Sequence, residues 1–182
     1  MTTIEQNLTQ YAAYHRDRRN IATHFVGVPM IVFAVVLALA VVEIPAGPVV
    51  LTLAALTSIA ACAYYLRLEL TLGITMALVL FAMCAGASEI THRVGTGAAL
   101  GIALAVFVVG WAIQFLGHKW EGMKPAFFDD VMQLVIGPLF VCAEIFFLLG
   151  ARPVLKSYIE ERVGPTVANR NKAPEGGEVP HS

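Results

Sequence analysis

The chain has 182 residues, 58% of them hydrophobic and 14% charged, with a mean hydropathy of +0.72. Soluble domains carry about 25% charged residues, so a soluble core of this size would lack the polar side chains to cover it. The formal net charge of −1 offers no basic face for neutralising phosphates, which excludes nucleic acid as a main partner.

Residues 4–18 (IEQNLTQYAAYHRDR) have helical spacing but a largely polar composition, and predict a short helix lying on the membrane surface. Tyr11 and His15 fall on one face of it, and Arg16, Arg18 and Arg19 stand where lipid head groups are met. The segment is too polar for a cleavable signal peptide, so insertion is expected to use the later helices. Five apolar runs follow. Phe25 to Ile44 has the length of a spanning helix and is closed by the breakers Pro45, Gly47 and Pro48. Val49 to Leu66 ends in Tyr64 and Tyr65, aromatics suited to an interface. Leu70 to Ala87 precedes Glu89, His92 and Arg93, and Ala98 to Leu116 leads into GHKWEGMKPAFFDD. Val131 to Gly150 carries Gly137-Pro138 near its start and Glu144 near its centre. Cys62, Cys84 and Cys142 lie within these runs; an odd, scattered set is neither a disulfide framework nor a zinc motif, so they read as small apolar fillers.

The expected fold is all-α: an integral membrane bundle of four to five hydrophobic helices plus an N-terminal interfacial helix. Residues 1–163 form one transmembrane domain, and 164–182, rich in Pro, Gly, Asn and charge, are expected to be a disordered polar tail. Lys and Arg collect on the cytoplasmic side, which places the N-terminus inside, joined there by Lys119 and Lys124 after four crossings. A fifth full crossing would put Arg152, Lys156 and Arg162 outside. The last segment is therefore expected to enter and return on one side, broken at Gly137-Pro138, with protein covering its irregular backbone. With no targeting extension in view, a bacterial inner membrane is favoured over an endoplasmic reticulum.

Four crossings bring the start of the first helix and the end of the fourth to the same membrane face. His15 and His24 lie at the first place and His118 at the second. On one continuous helix His15 and His24 would be half a turn out of phase, so the chain is expected to bend between them, with Asn20 the candidate hinge. His118 and Glu121 share a face, with Gln114 one turn earlier. Imidazole with carboxylate suits non-haem iron and also zinc. A lone interfacial histidine more often serves as a hydrogen-bonding residue, and spacing alone leaves that reading open. His92, in the opposite-side loop, and His181, in the tail, stay with it. A carboxylate inside an apolar helix, as at Glu144, points to function by default, though a hydrogen-bonded structural role or a neutral acid is equally compatible.

Three blocks carry a family resemblance: YHRDRRNIATHFVGVP at Tyr14 to Pro29, WAIQFLGHKWEGMKPA at Trp111 to Ala126, and QLVIGPLFVCAE at Gln133 to Glu144. In combination they resemble the small membrane 2-hydroxy fatty acid dioxygenases of phytosphingosine degradation, formerly a domain of unknown function, over residues 11–150. The resemblance implies a catalytic transmembrane domain that uses Fe(2+) and O2 to shorten a 2-hydroxy fatty acid by one carbon. The histidines matching the family pattern are His15, His24 and His118, which implies that they hold the iron. On that footing Glu121 is expected to be a fourth ligand or a base, and Asn20, Gln114 and Glu144 to orient the histidines. Lys119 and Lys124 are expected to attract the substrate carboxylate. The expected partners are the 2-hydroxy fatty acid, O2 and membrane lipid, with a homo-oligomer allowed. No glycine-rich dinucleotide turn is visible. Three other functions fit parts of the sequence: a small transporter or channel, a non-catalytic membrane scaffold, and a zinc-dependent lipid hydrolase.

Overall fold

The computed structural model describes residues 3–170. It opens with α1 (Ile4–Ala12), started by a capping box in which Thr3 and Gln6 exchange hydrogen bonds. α2 (Arg18–Ala40) follows, then a short antiparallel hairpin, β1 (Glu43–Ala46) and β2 (Val49–Thr52). Next come α3 (Leu53–Leu68), α4 (Leu70–Val94), α5 (Thr96–Glu121), a single 3-10 turn at Ala126–Phe128, α6 (Gln133–Leu148) and α7 (Pro153–Val163).

α2, α4 and α5 are each long and apolar enough to cross a membrane, whereas α3 has 16 residues, about 24 Å of helix. α6 and α7 meet at 113°. The all-α membrane bundle is thus present, with three full-length helices, one shorter one and one bent pair. Two details differ from the sequence reading. The breakers after the first run do more than end a helix: Gly47, at φ 65, lets residues 43–52 fold back as the hairpin. The break expected at Gly137-Pro138 falls instead at residues 149–152, where Gly150 and Arg152 take positive φ. α6 runs through Pro138. Proline disturbs the carbonyls one turn back, and there Tyr65 donates its hydroxyl to the Val135 carbonyl at 2.7 Å.

The sequential helices leave α2 and α5 antiparallel, in the most extensive helix contact of the fold. Without a hydrophobic drive between helices in lipid, small residues allow close packing. Gly27 and Gly110 meet across this contact: a Cβ on Gly27 would lie 3.0 Å from the Gly110 carbonyl oxygen, and one on Gly110 would lie 3.2 Å from that of Gly27. A Cβ on Gly117 would lie 2.1 Å from Thr23 Oγ1 and 2.4 Å from Asn20 Oδ1. α1 folds beneath this pair against α6 and α7, burying Leu8, Tyr11 and Ala12 with Ile136, Leu139 and Phe140.

Candidate metal centre

The bend between His15 and His24 lies at residues 13–17, not at Asn20, which is already in the first turn of α2. The overlooked signal is Asp17. An aspartate before an apolar helix is a preferred N-cap, and its side chain accepts from the Arg19 backbone N–H at 2.9 Å. The Arg19 guanidinium, 2.7 Å away, holds the Asp17 carboxyl down at about 2. The cap is therefore ionised, which suits the positive end of α2. The turn carries the His15 ring flat onto Tyr11, with centroids 4.2 Å apart and planes within 4°.

His24 stands in the second turn of α2 and His118 in the last turn of α5, so the glycine-lined contact sets their separation. All three imidazoles are buried, and a ring nitrogen from each lies within 4.8 Å of the others. Among the described residues no carboxylate or thiol joins this group.

The hydrogen bonds decide which nitrogens are free. His15 Nδ1 lies 2.7 Å from the Tyr11 carbonyl and His24 Nδ1 lies 2.9 Å from the Asn20 carbonyl. A carbonyl only accepts, so both rings carry their proton on Nδ1. In neutral rings that leaves both Nε2 atoms as lone pairs, and they face each other at 3.0 Å. Two acceptors that close, away from water, repel unless a cation stands between them. His118 Nδ1 is also buried and makes no hydrogen bond, an orphan of the kind that calls for an explanation. Burial first, then the neighbouring imidazoles, push the His15 pKa well below its ordinary 6.5, so the ring is neutral and available as a ligand. The donor set fits a transition-metal ion.

Glu121 stands beside the cluster, not in it. Its Oε1 accepts from the Arg16 backbone N–H at 2.9 Å and from Arg170 Nη1 at 2.6 Å. Its Oε2 accepts from the Asp17 backbone N–H at 2.9 Å and from Asn20 Nδ2 at 3.0 Å. The carboxylate therefore ties α5 to the loop that presents His15. Asn20 contributes through its backbone to His24 and through its amide to Glu121. Glu144 touches no histidine; it lies 3.9 Å from Arg16 Nη2, while Arg16 Nε donates to the carbonyls of Ala12 and His15. Lys124 is paired with Asp129 at 2.5 Å, and Lys119 is exposed.

Residues 164–170, expected to begin the disordered tail, pack along the same loop. Val167 exchanges backbone hydrogen bonds with Arg16 and Arg18, and Arg170 reaches both Asp17 and Glu121. The loop's backbone groups and the Glu121 carboxylate need partners that apolar helices cannot supply, and this polar segment supplies them. The rest of the expected tail, with His181, lies outside the described residues.

A cavity of about 70 Å³ opens beside the imidazoles, walled by Tyr11, His24, Val28, Trp111, Gln114 and His118. A second, almost wholly apolar slot of about 170 Å³ runs between α2, α4 and α6 past Met76, Val79 and Val141. The two share Val28, Val32 and Pro138 as walls. Neither lysine expected to meet a carboxylate lines either space.

Because Gly117 sets the α2–α5 spacing at the site, Gly117→Ala is expected to force the helices apart. Overpacking of this kind costs about 1–3 kcal/mol. The melting temperature and the metal content of the purified protein should fall together; unchanged metal content would show that the spacing does not matter to the site.

An all-α membrane bundle in which three buried imidazoles converge beside a largely apolar cavity defines a membrane protein with a candidate three-histidine metal centre. Comparison with known sequences is consistent with that class. The family model described as 2-hydroxy-palmitic acid dioxygenase Mpo1-like matches residues 1–149, and the chain belongs to that family. A curated relative, 2-hydroxy-palmitic acid dioxygenase MPO1 of Saccharomyces cerevisiae, is 33% identical over 160 residues, covering 86% of this chain and 87% of the relative. No solved structure matches the chain.

Proposed function

We propose that this chain is an iron(II)-dependent dioxygenase that shortens membrane-borne 2-hydroxy fatty acids by one carbon. The observation that carries the reading is the His15–His24 Nε2 pair 3.0 Å apart, with each Nδ1 against a backbone carbonyl and His118 beside them. The family relationship supplies the reaction type and substrate class. Imidazole suits iron, zinc, copper and nickel alike. Two ligands about 2.1 Å from one ion are about 3.0 Å apart at octahedral angles and about 3.4 Å apart at tetrahedral ones. The His15–His24 spacing of 3.0 Å is short enough for both rings to bind one ion, and the choice of iron over a zinc hydrolase rests on the family relationship.

The reaction balances without an outside reductant: R–CH(OH)–COOH plus O2 gives R–COOH, CO2 and H2O. Iron(II), when bound, supplies the activation of O2 for cleavage of the bond between carbons 1 and 2. The protein supplies the rest. The carbonyls of Tyr11 and Asn20 fix the tautomer and orientation of two ligands. Glu121 serves as a positioning residue, because its four donors leave no lone pair directed at the cavity. The apolar walls exclude water, and the slot between α2, α4 and α6 receives the acyl chain. No lysine or arginine lines the cavity among the described residues, so a metal held by the three histidines would supply the countercharge for the substrate carboxylate.

Metal analysis of the purified protein, with O2 uptake and product length measured on 2-hydroxypalmitate, tests the reading. One iron per chain and an acid one carbon shorter are expected; stoichiometric zinc with no O2 uptake would overturn it. Filling the slot tests the acyl-chain path. Val79 is 40% exposed, so bulk is tolerated there. Val79→Trp is expected to lower kcat/KM on sixteen-carbon substrate by about 10-fold or more while sparing chains of about eight carbons, since each buried methylene contributes about 0.8 kcal/mol. An equal loss on both lengths would place the chain elsewhere.

A further inference from the structure

We propose that Gln114 recognises the 2-hydroxyl group of the substrate, with its Oε1 accepting from the hydroxyl and its Nε2–H donating to the carboxylate. The inference rests on the dioxygenase reading and deepens it by assigning the group that tells a 2-hydroxy acid from an ordinary fatty acid.

Gln114 is 3% exposed, yet neither Nε2 nor Oε1 has a hydrogen-bond partner. A buried primary amide with both halves unpaired is costly and rare. The amide packs against α2 where Gly27 leaves it room: a Cβ on Gly27 would lie 2.8 Å from Nε2. One turn before His118 on the same face of α5, it lines the cavity with His24 and His118, and hydrogen-bonds neither ring. The neighbouring walls Val28, Ile31 and Val32 carry no polar side-chain group, and neither the Trp111 indole N–H nor the Tyr11 hydroxyl bonds the amide. Gln133 Oε1, the other unpaired amide atom in the cavity, can only accept, and its Nε2 is already given to Asp130 at 3.0 Å.

The missing partner must therefore bring both a donor and an acceptor. A 2-hydroxy acid does so on adjacent carbons, whereas a fatty acid without the hydroxyl satisfies only the Nε2 half and leaves Oε1 buried and unpaired. Sites built to bond a substrate hydroxyl discriminate strongly against the analogue that lacks it.

The test is binding, measured apart from turnover. Wild-type protein and Gln114→Met, both loaded with zinc as a redox-inert ion in detergent, are titrated with 2-hydroxypalmitate and with palmitate. Both carry Trp120→Phe, so that Trp111 in the cavity wall is the one tryptophan whose fluorescence is followed. Wild type is expected to prefer the 2-hydroxy acid. Gln114→Met is expected to lose about 10- to 100-fold in affinity for it, the scale of hydrogen bonds that include one to a charged group. Its palmitate affinity should change less, and its metal content not at all. Equal wild-type affinity for the two acids would overturn the proposed function and this assignment together. A wild-type preference that survives Gln114→Met overturns the assignment alone. So does loss of metal in that variant, which would make Gln114 a support for the imidazoles.

Discussion

Replacing His15, His24 or His118 singly by alanine is expected to remove the bound metal and, with it, turnover. Groups that merely orient a metal ligand are worth about 10–100-fold in affinity, so loss of a ligand itself should cost more than about 100-fold at each position. The ion also contributes to stability, since anything that binds only the folded state raises it by mass action. Chelation should therefore lower the melting temperature of the wild-type protein and re-addition of iron should restore it. The three variants should melt near the chelated wild type and show no response to either treatment. His15 carries a complication because its ring stacks on Tyr11. His15→Gln, which keeps most of the volume, separates lost packing from lost ligation: it should melt like the other variants and still bind no metal. Wild-type iron content in any one of them would remove that residue from the ligand set.

The convergence of these residues was legible because topology alone constrains it. The antiparallel succession from α2 to α5 puts the N-terminus of one helix beside the C-terminus of another, and His24 and His118 are near those ends. What lay beyond the sequence is local. Asp17 was present as a helix cap, but the polar run HRDRRN also reads as a charged face, and nothing in it says where the bend falls. Gly117 looks like any small residue in an apolar helix until its Cβ is found to collide with Thr23 and Asn20. The polar clamp is harder still. Arg170 lies 49 positions from Glu121 and Gly164 lies 148 from Arg16, and no periodicity links an irregular segment to the helix end it covers. Gln114 was expected to orient a histidine because it is one turn from His118. Its place in the cavity wall, with no bond to either ring, is visible only in the structure.

Glu121 separates two roles by a single atom, which makes Glu121→Gln the sharpest second prediction. As a base or metal ligand, the carboxylate would be lost with little effect on folding, and the variant would be well folded, metal-bearing or nearly so, and inactive. The structure points the other way. Each oxygen accepts two hydrogen bonds, Oε1 from Arg16 N and Arg170, Oε2 from Asp17 N and Asn20. Whichever oxygen becomes an NH2 group then faces two donors inside a site 2% exposed. Breaking a buried charge-assisted network of this kind costs about 3–5 kcal/mol. The loop from Tyr14 to Asp17 should loosen, and His15, carried on it, should leave the other two imidazoles. The expected result is a lower melting temperature and reduced iron content, with activity falling in proportion to the iron lost. Arg170→Ala removes one donor of the four and should reproduce the effect weakly. Turnover per bound iron is the deciding measurement: a value in Glu121→Gln close to wild type assigns the carboxylate to positioning, and a fall of about 100-fold or more, the usual scale for a lost general base, would return it to the chemistry.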